Sequence, residues 1–212
     1  FVGMVDLLEQ SGRILARLIG AEAARVTTGA SAAIALSTAA CMTGMEGPLW
    51  EQLPDTSGMK NEVLMQRQHR YKYDRCARLT GARIVEAGSA DGTTRDQFAA
   101  AFTARTAVVL FPAHLESRPG SLPLRDILEL AHARHVPVLV DAAYLNYPIS
   151  LMRSFTAAGA DLVGEIVDRT DGVPLFVEEL TMAMLEQGQE TRMAALLAAS
   201  PSHGLAVPPT LQ

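Results

Sequence analysis

Lysine is almost missing from this chain: among 212 residues only Lys60 and Lys72 carry an amine side chain. Acidic residues outnumber lysine and arginine, giving a formal net charge of −5, so no electrostatic footprint for nucleic acid is present. The arginines stand mostly apart, and the densest group, Arg67 to Arg78, is interrupted by Tyr71, Tyr73 and Asp74, the pattern of a solvated helix face. Two cysteines, Cys41 and Cys76, form neither a disulfide framework nor a metal spacing and read as free buried thiols. The histidines His69, His114, His132, His135 and His203 show no HExxH or CxxC context, so no metal site is expected. The longest apolar run, Ala30 to Met42, is too short for a bilayer span and contains Ser31, Ser37 and Thr38. Phe1-Val-Gly-Met4 lacks both an initiator methionine and a basic leader, so it reads as a truncated beginning, and a cytoplasmic location is expected.

What remains is a composition that folds: 49% hydrophobic and 19% charged residues, enough for one good-sized domain or a domain with an extension. Val5, Leu7, Leu8, Ile14, Leu15 and Leu18 recur at helical spacing and Gly20 closes that helix. A short strand is expected at Ala24 to Thr27, followed by a helix of small residues through Thr43 and a loop from Gly44 to Lys60. Strands are then predicted at 62–66, 83–86, 107–111, 136–140 and 161–163, separated by helices at 71–80, 94–102, 124–134 and 150–158. Strands alternating with helices of this length predict a three-layer α/β/α fold with a mostly parallel sheet and right-handed crossovers. After Val163 the rhythm stops, and residues 164–212 are expected to form a helical extension distinct from a domain at 1–163.

Ligands in open parallel sheets lie outside the carboxyl ends of the strands. Asp141 closes the apolar run Val136-Pro-Val-Leu-Val140 at such an end, where a buried carboxylate requires a partner. A protonated ring nitrogen of a cofactor is one candidate partner, and a capped loop is the other. Thr27-Thr28-Gly29-Ala30-Ser31 precedes a helix of small residues, so Gly29, Ala30 and Ser31 suit a phosphate group, although Ser31 equally suits a plain helix cap. His69 follows the first of the main strands and can stack on a planar ring or serve as a surface or capping residue; His114 is placed comparably. Arg95 and Arg118 are candidates for an anionic substrate or for simple solvation.

Five stretches carry a family resemblance: Gly20-Ala-Glu-Ala-Ala-Arg-Val-Thr-Thr-Gly-Ala-Ser-Ala-Ala33, Lys60-Asn-Glu-Val-Leu-Met-Gln-Arg-Gln-His-Arg70, Gly81-Ala-Arg-Ile-Val-Glu-Ala-Gly88, Pro137-Val-Leu-Val-Asp-Ala-Ala143 and Gly159-Ala-Asp-Leu-Val163. In this order and spacing they resemble the selenocysteine synthase (L-seryl-tRNA selenium transferase) and D-glucosaminate-6-phosphate ammonia-lyase group of fold-type-I enzymes, which use pyridoxal phosphate (PLP). The resemblance implies part of a PLP-dependent transferase large domain, with the cofactor phosphate at Gly29, Ala30 and Ser31. It further implies Asp141 on the pyridine nitrogen and His69 beside the ring. It implies β-elimination or replacement on an amino-acid-type substrate, and a homo-oligomer.

The family's covalent lysine follows the strand after the aspartate, where this chain reads Gly164-Glu-Ile-Val-Asp-Arg-Thr170. Neither lysine of this chain occupies that place, so a truncated, inactive chain that binds PLP weakly is expected. Residues 165–181 and Val207-Pro-Pro-Thr-Leu-Gln212 resemble instead the helical region of signalling ATPases attached to adenylate cyclases and transcriptional regulators. That resemblance implies a fused segment and leaves a regulatory or interaction fragment as the alternative function.

Overall fold

The longest uninterrupted runs of buried residues form three strands of a five-stranded sheet. The structure, a computed structural model, describes residues 3–145 and 149–164. Strands β1 (Glu62–Gln66), β3 (Thr106–Pro112) and β4 (Val138–Asp141) are buried at every position, as strands covered on both faces must be. Strand β2 (Arg83–Ala87) lies at one edge and exposes Arg83 and Glu86; charged edges of this kind discourage pairing with another sheet. Strand β5 (Leu162–Gly164) forms the other edge. The order is β2-β1-β3-β4-β5 and every pairing is parallel, which bears out the predicted α/β class.

Helices cover both faces and make three layers. On one face α2 (Ala30–Thr43) and α4 (Arg75–Arg78) bring Ile34, Met42, Cys76 and Ala77 against Val63, Met65, Val108, Leu110 and Leu139. On the other, α5 (Arg95–Ala100), α6 (Leu124–His132) and α7 (Ile149–Ala157) bring Phe98, Ile127, Leu128 and Phe155 against Leu64, Val109, Phe111, Val138 and Val140. The apolar stripe Leu124, Ile127, Leu128, Ala131 follows the i, i+3, i+4, i+7 pattern that turns one helix face inward. Helix α1 (Met4–Ile19) ends at Gly20 in the left-handed region, as its spacing predicts. It packs on α7, where the Thr156 hydroxyl donates to the Ile19 carbonyl at 2.7 Å.

Four local expectations require correction. Residues 24–27 form no strand; they lie along α1, where the Ala24 carbonyl would be only 2.4 Å from a Cβ on Gly12. The expected loop at 44–60 contains a short helix, α3 (Gly47–Gln52), because Pro48 sits in its first turn, where a missing N–H costs nothing. The helix expected at 71–80 is reduced to α4 flanked by turns, with the Asp74 carboxylate accepting the Tyr71 N–H at 3.2 Å. Strand β4 also begins two residues late, since His135 adopts φ 54 and Pro137 has no N–H for the ladder.

Candidate active site

All five strands run parallel, so Gln66, Pro112, Asp141 and Gly164 finish on the same side of the sheet. The chain goes from β1 outward to β2, then crosses back over β1 to β3. That reversal opens a crevice between the ends of β1 and β3, the place where such sheets hold ligands. The segments leaving those two strands carry His69, Tyr71 and His114, and the neighbouring β4 ends in Asp141.

Asp141 is 2% exposed. Its Oδ2 accepts the Tyr71 hydroxyl and its Oδ1 accepts the Ala143 N–H at 3.1 Å; both donors are neutral. Among the described residues the carboxylate has no ion pair. Tyr71 stays a phenol under these conditions: burial, then the Asp141 charge and their hydrogen bond, push its pKa far above the ordinary value. The Tyr71 ring meets that of His114 edge to face at 5.5 Å, and His114 lies 4.8 Å from the Tyr144 ring. Burial and then Arg118 lower the His114 pKa, against the pull of Asp141, so its imidazole is neutral at pH 7. The buried His114 Nδ1 has no hydrogen-bond partner among the described residues. Among the described residues this end of the sheet therefore holds a buried carboxylate without an ion pair and a buried ring nitrogen without a hydrogen-bond partner, and each such group in a fold calls for a reason.

Gly29, Ala30 and Ser31 lie at the start of α2, and the packing of that helix brings them to the same edge. A Cβ on Gly164 would stand 3.6 Å from the Ala33 Cβ in the first turn of α2. Gly164 is in turn the ladder partner of Asp141, and the Ala142 N–H donates to its carbonyl at 2.8 Å. Adjacent strands lie about 4.8 Å apart, so the helix start and the carboxylate are separated by on the order of 10 Å. Gly29 has φ 128 and ψ 175, a conformation closed to L side chains, and the space where its Cβ would be is open. First-turn N–H groups of an α-helix have no intrahelical acceptor and face outward, as anion binding requires.

His69 is placed differently from His114. It is fully buried, with Nδ1 3.4 Å from the Gln66 amide, Nε2 2.9 Å from the Ser121 hydroxyl and an edge contact to Phe111. Burial above all, then the Arg118 charge, brings its pKa down to about 4. Gln66 bridges to Leu122 through its amide nitrogen at 3.1 Å and its carbonyl oxygen at 2.8 Å, tying the ends of β1 to the loop after β3. His69 therefore braces the wall on which His114 stands. Arg118 belongs to the same wall and donates to the Gln68 carbonyl at 2.5 Å. Arg95 is elsewhere, paired with Asp126 at 3.0 Å and Glu129 at 2.9 Å on α6. Lys60 is exposed; Lys72 lies over the Tyr73 ring at 4.7 Å.

The sequence reading missed Tyr71, Tyr144 and Ser121. Tyr71 carried one usable signal, its position five residues past the end of β1 and two past His69; its contact partner is 70 residues away. Among the described residues no group of three or more His, Cys, Asp or Glu side chains is arranged to hold a metal ion, and no helix is long and apolar enough to cross a membrane. The resemblance read in residues 165–212 falls outside the described residues.

No protein-family model matches the chain. D-glucosaminate-6-phosphate ammonia lyase of Salmonella typhimurium (strain 14028s / SGSC 2262) is 38% identical over 168 residues, 77% of this chain and 44% of that protein. The 5'-C-glycyluridine monooxygenase-decarboxylase of Streptomyces sp is 35% identical over 170 residues, covering 76% and 41%. A solved structure of D-glucosaminate-6-phosphate ammonia-lyase superposes with a TM-score of 0.72, again over 77% of this chain and 44% of that one. The SepCysS–SepCysE N-terminal domain complex, at 16% identity and a TM-score of 0.51 over 76% of this chain, shares the fold. The chain spans less than half the length of the curated relatives it matches. Over about three-quarters of its length, this chain is homologous to D-glucosaminate-6-phosphate ammonia lyase and, with it, to the fold-type-I PLP-dependent enzymes.

Proposed function

We propose that this chain is the ring- and phosphate-binding part of a PLP-dependent lyase or transferase acting on an amino-acid-type substrate by β-elimination or replacement. The observation that carries the reading is Asp141: a buried carboxylate at a strand end, beside the sheet's reversal, with only neutral donors among the described residues. A cationic pyridine nitrogen is a partner of the right charge, and the orphaned His114 Nδ1 offers the ring a second polar neighbour. The first turn of α2, with Gly29, Ala30 and Ser31, is set apart from Asp141 in the manner a phosphate arm needs. His69 supports the crevice from behind through Gln66 and Ser121.

Bound there, PLP supplies an electron sink that weakens bonds at the α-carbon of an amino substrate. The chain's own part is to hold the ring nitrogen protonated through Asp141, to orient the phosphate, and to close the sheet side of the crevice against water. Neither Lys60 nor Lys72 follows β5, so we propose that these 212 residues bind PLP without a covalent bond and do not turn over. We further propose that residues 1–163 form the cofactor-binding unit, that 164–212 are a separate segment, and that the chain assembles as a homo-oligomer.

Equilibrium dialysis against PLP and against pyridoxal, which lacks the phosphate, tests the reading. Wild-type chain is expected to bind PLP saturably, with Asp141→Asn weakening it about tenfold or more. Ser31→Glu is expected to weaken PLP while leaving pyridoxal unchanged, by repulsion at the helix start. Absence of wild-type binding, or equal binding by Asp141→Asn, overturns the assignment. Borohydride treatment followed by mass measurement checks the non-covalent claim: a retained cofactor on Lys60 or Lys72 contradicts it.

A further inference from the structure

We infer that Tyr71 is a positioning residue of this site, its hydroxyl keeping the Asp141 carboxylate aimed toward the ring nitrogen of the cofactor. The inference rests on the proposed function and adds a role for a residue outside the motifs that suggested it.

A buried aspartate facing a pyridine nitrogen shares one proton with it, and the proton stays on the ring only while the carboxylate is the better-stabilised anion. The 2% exposure of Asp141 leaves protein donors to supply that stabilisation. Two are present among the described residues, and they engage different oxygens: the Ala143 N–H on Oδ1 and the Tyr71 hydroxyl on Oδ2. Ala143 belongs to the same turn as the aspartate and follows wherever it goes. Tyr71 comes from the other side of the sheet's reversal, so it fixes the carboxylate relative to the crevice rather than relative to its own strand. Each carboxylate oxygen has a second lone-pair direction, and a ring N–H can join without displacing either donor.

The surroundings keep Tyr71 a donor. Its ring is held edge-on by Tyr73 at 6.1 Å and His114 at 5.5 Å, and its N–H is anchored on Asp74. The titratable groups facing it are Asp141, Asp74, Cys76, Tyr73 and His114, and the two carboxylates oppose ionisation of the phenol. A phenol in this setting can only give its hydrogen to Asp141.

The full chain loaded with PLP carrying a nitrogen-15 ring label provides the test, because the label's chemical shift reports whether that nitrogen bears a proton. At neutral pH wild-type chain is expected to show a protonated nitrogen, and Asp141→Asn an unprotonated one. Tyr71→Phe keeps the ring packing and is expected to shift the protonated-to-unprotonated ratio about tenfold toward the unprotonated form. Tyr73→Phe is expected to change nothing. Incorporating 3-fluorotyrosine at position 71, a stronger donor of the same shape, is expected to move the signal the opposite way, and it carries the test if Tyr71→Phe does not fold. A Tyr71→Phe or fluorotyrosine signal identical to wild type overturns the positioning role while leaving the cofactor assignment intact. A wild-type chain that binds no PLP, or an Asp141→Asn chain with an unchanged signal, removes the assignment and this role with it.

Discussion

The two ends of the central sheet each bury a carboxylate, and they treat it in opposite ways. At the amino end Glu62, 2% exposed, opens β1 and is held by Arg83 and the Thr103 hydroxyl. Burial pushes its pKa up, but those two hydrogen bonds and the charges of Arg83 and Arg105 outweigh it and leave the pKa below the ordinary value. At the carboxyl end Asp141, equally buried, closes β4 with two neutral donors. One charge is neutralised by an ion pair, and among the described residues the other has none. The difference separates a stabilising ion pair from a site more sharply than burial alone, because buried carboxylates serve both purposes.

Acid should reach the two ends at different pH, and this is the largest effect expected. His69 at the carboxyl end is folded as the neutral imidazole with a pKa of about 4, against about 6.5 when unfolded. The unfolded chain therefore binds the extra proton first. The contribution is complete above pH ~6.5 and is lost as pH falls toward 4, of order 2–3 kcal/mol in total. Denaturant unfolding across that range should show the loss in wild type and a flatter profile in His69→Asn. Glu62, with its lowered pKa, keeps its contribution through this window and loses it only below the ordinary carboxylate range.

Glu62→Gln is expected to cost about 2 kcal/mol in the same measurement, discounted because the Arg83 side chain is 63% exposed, and to leave PLP binding unchanged. Asp141→Asn should reverse that pattern, with little loss of stability and a marked loss of binding. If both substitutions damage stability alike, the two ends are equivalent and the contrast fails. At the smallest scale, Thr94→Ala removes the capping box that Thr94 shares with Gln97 on α5 and is expected to cost about 1 kcal/mol with no effect at either end.

Most of the sheet could be read before any coordinates, for a physical reason. β1, β3 and β4 are buried on both faces and have apolar centres, so the presence of these strands and the position of Asp141 at a strand end follow from the sequence pattern. Proline and glycine around Pro48 concealed α3, because the same residues that mark a loop also suit a helix's first turn. At the strand expected over 24–27 the Ala24 carbonyl lies against Gly12 of α1, and among the described residues this segment pairs with no strand. The carboxylate was legible and its partner was not: Tyr71 reaches Asp141 across 70 residues, and Ser121 reaches His69 across 52. Only folding brings such pairs together, so the buried seat of His69 between Gln66 and Ser121 is not legible from its place after a strand.

A crystal structure of the chain soaked with PLP tests the central claim most directly. The account predicts the ring nitrogen within hydrogen-bond distance of an Asp141 carboxylate oxygen and the phosphate at the first turn of α2. Cofactor bound elsewhere, or Asp141 found paired with an arginine or lysine of the protein, would contradict it.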